Sequence, residues 1–215
     1  MARRTKADAQ ATRDKLLDTA ERLFLEQGVA RTSLNDIAVA AGTTRGAIYW
    51  HFQDKADLFN AMMERATLPF EESLAAAARA VADPATSGTP AVERLRDNVR
   101  EGLGLICRDE RTRRVFEIAT HKVEYVADMQ AVRERHLAAR QDCVMLNTAL
   151  LAQAARDAGL TLPVPPEEAA MSMFVLFDGL LQNWMLSPER FELEAMGQRL
   201  LDTYLVGLGL LKALP

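Results

Sequence analysis

The stretch TSLNDIAVAAGTTRGAIYWHFQDKADLF, residues 32–59, decides how the chain is read. Ser33 is a good N-cap for a short helix over Leu34–Ala41, and Asp36, three residues on, favours that helix's positive end. Gly42 supplies a tight turn. Thr43 or Thr44 caps a third short helix that runs to about His51. Asp54 caps a fourth, whose inner face carries Leu58, Phe59 and Met62. Ile37, Ala38, Ile48 and Phe52 belong to the core, whereas Trp50 fits either core or surface. Two short helices joined by a glycine-containing turn make a helix-turn-helix.

In such a motif the second helix lies in the major groove with its N-terminal residues at base edges. Thr43, Thr44 and Arg45 stand there. An arginine can donate two hydrogen bonds to guanine, and threonine methyls can touch thymine. Gly46 and Ala47 lack bulk, which allows close approach. Tyr49, Trp50 and His51 are amphipathic and can hydrogen-bond phosphates. Lys55 adds a cation, and the N-terminus of the fourth helix adds a positive pole. Arg3, Arg4 and Lys6 form a basic tail that can reach an adjacent groove or bind phosphates. Helix-turn-helix shapes also occur in helical proteins without a DNA target, so spacing alone leaves a DNA-free interaction module open.

Outward from this stretch the pattern stays helical. Leu16, Leu17, Ala20, Leu23 and Phe24 share one face of a first helix, which Gly28 stops. The segment DPATSGTP, residues 83–90, is a loop. A helix from Ala91 to about Cys107 and a polar break at Arg108 to Glu110 follow. The pattern then predicts a helical stretch from Thr112 to about Met129 and a long helix from about Ala131 to Ala158. GLTLPVPP, residues 159–166, is a second breaker. Two last helices, about Glu167–Met185 and Phe191–Leu211, are separated by Ser187-Pro188. Strand-like runs are missing, so the expected fold is all-α with about nine helices. Residues 1–56 form a three-helix helix-turn-helix domain, and residues 57–215 form a larger helical domain.

The helix Glu167–Met185 is apolar nearly all round, with Ala170, Met173, Phe174, Val175, Leu176, Phe177, Leu180, Leu181 and Trp184. A helix of that kind must be covered on every side. The final helix repeats the pattern with Leu193, Met196, Leu200, Leu201, Tyr204, Leu205 and Leu208. Two such helices from each of two subunits would make a four-helix bundle with two-fold symmetry. A well-buried monomer core is the alternative.

Composition narrows the class without naming a function. Hydrophobic residues make up 49% and charged residues 26%, as in a soluble globule. The net charge of −4 does not advertise nucleic acid, so a DNA-reading claim needs a few well-placed cations. No apolar h-region follows the basic start. No apolar run approaches a membrane span, the richest (Met171 to Leu186) being broken by Asp178, Gln182 and Asn183. The expected location is cytoplasmic, with no membrane partner. Cys107 and Cys143 form no C-x-x-C pair and no disulfide framework.

An enzyme finds little support. Glu117, His121 and Glu124 stand at i, i+4, i+7 and could hold a metal, but no second such set appears. H-E-x-x-H and Walker-A loops are absent, and Gly102-Leu-Gly104 lacks the third glycine of a dinucleotide site. No cofactor, metal or catalytic residue is expected.

The ordered pattern from Ala11 to Phe59 resembles the DNA-binding domain of the TetR family of repressors. The N-terminus MARRTKADAQATR and the block HKVEYVADM, His121 to Met129, resemble the AcrR/TtgR-like subgroup that represses multidrug efflux pumps. The resemblance implies operator contacts at Ser33, Thr44, Arg45, Gly46, Tyr49, His51 and Lys55. It also implies a homodimer through the last two helices, released from a palindromic operator by an apolar or aromatic inducer. The implied cavity wall is Leu95, Val99, Phe116, Thr120, Cys143, Asn147, Phe174, Phe177 and Asp178. Plain packing is the alternative for each, and for Asp178 a dimer contact. Phe116 stands where the resemblance implies a smaller polar residue, hence a differently shaped pocket. Pro69 lacks a backbone donor and should kink or end the fourth helix near Leu68. The runner-up functions are a regulator of a catabolic or metabolic operon and a helical metal-binding enzyme.

Overall fold

The computed structural model describes residues 6–82 and 88–212, with the backbone alone at 68–71 and 73–82. The basic residues Arg3 and Arg4 and most of the DPATSGTP loop lie outside the described residues. Nine α-helices occur among those described: α1 Lys6–Gln27, α2 Leu34–Ala40, α3 Arg45–His51, α4 Lys55–Ala82, α5 Ala91–Arg108, α6 Glu110–His121, α7 Gln130–Ala158, α8 Pro166–Leu186 and α9 Leu193–Gly207. Short 3-10 turns stand at Ala127–Met129 and Pro188–Arg190. No strand occurs among these residues.

The chain divides into two compact units. The first runs up to Thr67 and takes in Arg111–His136; the second holds Leu68–Glu110 and the chain from Leu137 onward. Within the first unit one core spans both sides of residue 56. Leu16, Leu17, Ala20 and Phe24 of α1, Ile37 of α2, Ile48 of α3 and Leu58, Phe59 and Met62 of α4 are buried together with Val115 and Ile118 of α6. Apart from Ala20, each of these side chains when fully buried contributes roughly 1.5–3 kcal/mol. A charged cluster reinforces this packing. Arg65 on α4 pairs with Asp18 at 2.8 Å and with buried Glu21, both on α1, and Arg111 reaches Asp18 at 3.2 Å.

In the second unit α5 packs on α9, and α9 on α8. Arg96 forks onto Asp202 with both bonds at 2.8 Å. Leu95, Leu150, Leu151, Ala169, Ala170, Leu201 and Leu205 form its buried cluster.

Three sequence expectations are corrected. Helix α6 stops at His121 rather than continuing to Met129. The Lys122 carbonyl accepts from Val29 N at 3.0 Å, and the β-branched Val123 and Val126 favour extended backbone there. Glu124 therefore leaves the face shared by Glu117 and His121, and no cluster of three potential ligands forms among the described residues. The last helix ends at Gly207 rather than Leu211. Gly209 (φ 78°) donates to Val206 O, and Leu210 N donates to Leu205 O, the paired bonds that close a helix. Helix α4 does not end near Leu68; it runs through Pro69 to Ala82. One proline removes one donor, and the alanine-rich run that follows has the highest helix propensity.

Helix α8 also departs from the reading that no apolar run approached a membrane span. It has 21 residues and an 18-residue window of mean hydropathy 1.2, long and apolar enough to cross one by length and composition.

Candidate nucleic-acid interface

The helix-turn-helix is assembled by local bonds. A reciprocal capping box starts α2: Ser33 Oγ accepts from Asp36 N at 3.1 Å, and Ser33 N donates to the Asp36 carboxylate at 2.9 Å. The Ser33 hydroxyl donates to the same carboxylate at 2.6 Å. These bonds hold the Asp36 carboxyl below its ordinary value of 3.8, the side-chain bond from Ser33 being the larger cause. At the other end Gly42 takes φ 61°; its N–H donates to Val39 O at 3.0 Å and Thr43 N to Ala38 O at 2.9 Å. Positive φ suits glycine because no Cβ clashes there. Thr44 then caps α3, its Oγ1 accepting from Ala47 N at 3.2 Å.

Helix α3 hangs on buried Ile48 and Phe52. Its outer face is open. Trp50 is 72% exposed and Tyr49 48%, which places Trp50 on the surface rather than in the core. The Arg45 guanidinium lies 5.6 Å from the Tyr49 ring centre, so the cation is steered along the helix face. Trp50 and His51 stack edge to face at 4.6 Å. Gly46 has no internal reason to be glycine: a Cβ there would meet nothing closer than Thr44 Oγ1 at 3.9 Å. Bulk is left off a surface that its own subunit does not use.

The remaining residues of the expected interface have structural duties. Lys55 Nζ donates to Val29 O at 2.9 Å, bracing the turn after α1. The Thr43 hydroxyl donates to Ala38 O at 3.3 Å, and Ser33 serves the cap. At the start of α4 Asp54 accepts from Asp57 N and Asp57 from Gln53 N. Two residues escaped the sequence reading. Lys15 brings its ammonium to 3.8 Å from where a Gly42 side chain would start. Val39 is 69% exposed on α2, off the face defined by Leu34, Ile37 and Ala38, and that phase was the available signal.

The expected cavity residues divide between the units. Phe116 and Thr120 belong to the first, both half-buried. Leu95, Val99, Cys143, Asn147, Phe174, Phe177 and Asp178 belong to the second, where Leu95 and Asn147 are buried. Asn147 Nδ2 donates to Cys143 Sγ at 3.4 Å, and burial pushes the Cys143 thiol up. Asp178 accepts from Gln182 at 2.6 Å.

Helix α8 turns a second open face outward. Met171, Val175, Leu176 and Leu186 are exposed at i, i+4, i+5 and i+15, with Val175 at 60% and Leu186 at 68%. No charged side chain of α8 interrupts that row beyond Asp178.

Comparison with known proteins returns family matches over both parts of the chain. Residues 16–62 match the model of the bacterial regulatory proteins of the tetR family, and residues 90–209 match the C-terminal region of MAATS-type transcriptional repressors. The chain is 38% identical over 215 residues to the HTH-type transcriptional regulator TtgR of Pseudomonas putida, covering 100% of this chain and 98% of that one. Its fold is similar to that of NalD, the secondary repressor of the MexAB-OprM multidrug efflux pump in Pseudomonas aeruginosa. That match has TM-score 0.82 and 34% identity and covers 94% and 98% of the two chains. It is also similar to SmeT, the repressor of the Stenotrophomonas maltophilia efflux pump SmeDEF, in its triclosan complex. Here the TM-score is 0.75 at 32% identity, over 95% and 99% of the chains.

Proposed function

The chain belongs to the TetR family of bacterial regulatory proteins, and from that premise we propose that it represses a multidrug efflux operon and is released from its operator by an apolar or aromatic small molecule. The observation that carries the reading is the open outer face of α3. An arginine, a tyrosine and a tryptophan stand exposed on a helix whose start, turn and core contacts are all satisfied within the subunit. Arg45 is assigned to base edges, and Tyr49, Trp50 and His51 to phosphates, with Thr44 offering its methyl because its hydroxyl caps the helix. Residues 1–56 carry DNA reading, and residues 57–215 carry ligand binding and dimerisation.

The partner for α8 and α9 is a second copy of the chain. Pairing sets two recognition helices about one DNA turn apart, which suits a palindrome. Acting on DNA, the protein works in the cytoplasm. NalD and SmeT are repressors of efflux pumps, and SmeT forms a complex with triclosan; the fold this chain shares with them supports the reading. The inducer favours a conformation with lower operator affinity, and a coupling of about 1–3 kcal/mol lowers that affinity roughly 5- to 150-fold.

A gel shift with promoter DNA from beside the encoding gene tests the reading. Wild type should bind with marked salt dependence, and Arg45→Ala and Tyr49→Ala should both weaken it. Equal binding by all three proteins would refute the assignment of α3.

A further inference from the structure

The second unit contains a polar group that its own fold leaves unserved. Helix α5 buries Ala91, Leu95 and Ile106 and half-buries Val99. Asn98 stands on the edge of that apolar face, three residues after Leu95. Its Nδ2 is shut off from solvent and has no hydrogen-bond partner among the described residues. Other carboxamides of this unit find acceptors. Gln198 Nε2 donates to Arg96 O at 3.2 Å and Asn183 Nδ2 to Gly179 O at 2.8 Å. Asn60, Arg65 and Arg94 also carry a buried unserved atom, yet each side chain is held by another polar interaction.

A buried N–H without an acceptor destabilises a fold, and a leucine of similar volume would remove the defect. The chain keeps an amide at the edge of an apolar face that includes two residues of the expected cavity, Leu95 and Val99. Asn147 shows the same tendency more weakly, since its donor has only a thiol sulfur, a poor acceptor. A site built mostly of apolar surface takes its selectivity from a few polar groups placed within it.

We propose that Asn98 is a specificity-determining residue for the inducer: its Nδ2 donates to a carbonyl or ether oxygen on an otherwise apolar ligand. The inference rests on the ligand-binding reading above. It adds the chemical requirement that a good inducer presents a neutral oxygen acceptor. A site of hydrogen-bond donors rejects an analogue that lacks the acceptor, because the donor is then left stranded a second time.

Equilibrium dialysis of the full-length protein against benzophenone and diphenylmethane tests this. The two share their rings and differ by a carbonyl against a methylene. The quantity read is the ratio of the two affinities in wild type relative to Asn98→Leu. It should fall about five- to tenfold in the variant, the worth of one buried hydrogen bond. Asn98→Leu should melt at the same or a higher temperature. Asn98→Ala gives the same ratio test if leucine does not fit. Binding of both compounds with an unchanged ratio overturns the role of Asn98 while leaving the ligand-binding reading intact. Saturable binding of neither compound by wild type counts against that reading itself, and this inference falls with it.

Discussion

Helices α3 and α8 both turn large apolar side chains to the outside, yet they are built for different partners. On α3 the exposed rings of Tyr49 and Trp50 carry polar tips and stand beside Arg45, so the face can lose its water only to something rich in acceptors. On α8 the exposed Val175, Leu176 and Leu186 have no polar atoms, and the exposed amides between them, Gln182 and Asn183, are bonded to their own helix through Asp178 and Gly179 O. Exposure alone therefore does not name a partner. The groups interleaved with the exposed carbon separate the two faces: a cation and polar-tipped rings on one, amides bonded to their own helix on the other.

The largest effect that can break this comparison lies on α8. Val175→Glu places a charge in the middle of the proposed two-fold contact while leaving the subunit's own core untouched. Sedimentation equilibrium should show a monomer, and operator affinity should drop about 100-fold or more, since linked half-sites gain on that scale. A variant that stays dimeric at micromolar concentration would remove α8 from the interface. Next comes Arg45→Ala on α3. Loss of a bidentate base contact costs about 1–3 kcal/mol per half-site. Competition gel shifts over operator variants should show relaxed preference at one base pair of each half-site, with dimerisation unchanged.

The two helices also differ in how far they could be read from sequence. The bonds that cap and turn the helix-turn-helix are local: Ser33 with Asp36, Gly42 with Val39 and Thr44 with Ala47 lie within four residues of each other. Such signals survive in the sequence. What escaped depends on distant partners. Lys55 reads as a free cation until Val29 O is seen to accept from it, and α6 reads as longer until the Lys122 carbonyl is seen turned to Val29. The apolar run of α8 was evident, but its periodicity could not say which face the subunit covers. Asn98 was visible as a polar residue among apolar ones; only burial distinguishes an unserved amide from a solvated one.

A smaller effect sharpens the account of the motif. Gly42→Ala forces a side chain into φ 61° without any packing clash, Lys15 Nζ being the nearest group at 3.8 Å. Thermal or urea unfolding should show a loss of about 1 kcal/mol from backbone strain alone. Operator affinity should weaken only as far as the turn loosens, and the α8 contact should be indifferent.

The smallest effect separates two roles for Ser33, contact with DNA or service to α2. Its hydroxyl and N–H are both committed to Asp36, so Ser33→Ala should lower the melting temperature while changing operator affinity little. The carboxylate gives an independent handle. Asp36 is held below its ordinary value of 3.8 in the folded chain, so the stabilisation is complete above about pH 4 and is lost as pH falls through the folded value. Asp36→Asn removes that dependence. Wild type should therefore be the more stable near neutrality, and the two melting temperatures should converge in acid. Convergence for Asp36→Asn, together with an unchanged operator complex for Ser33→Ala, would place this pair in the scaffold that aims α3. A Ser33→Ala protein that melts like wild type but binds DNA poorly would move Ser33 to the DNA-facing surface.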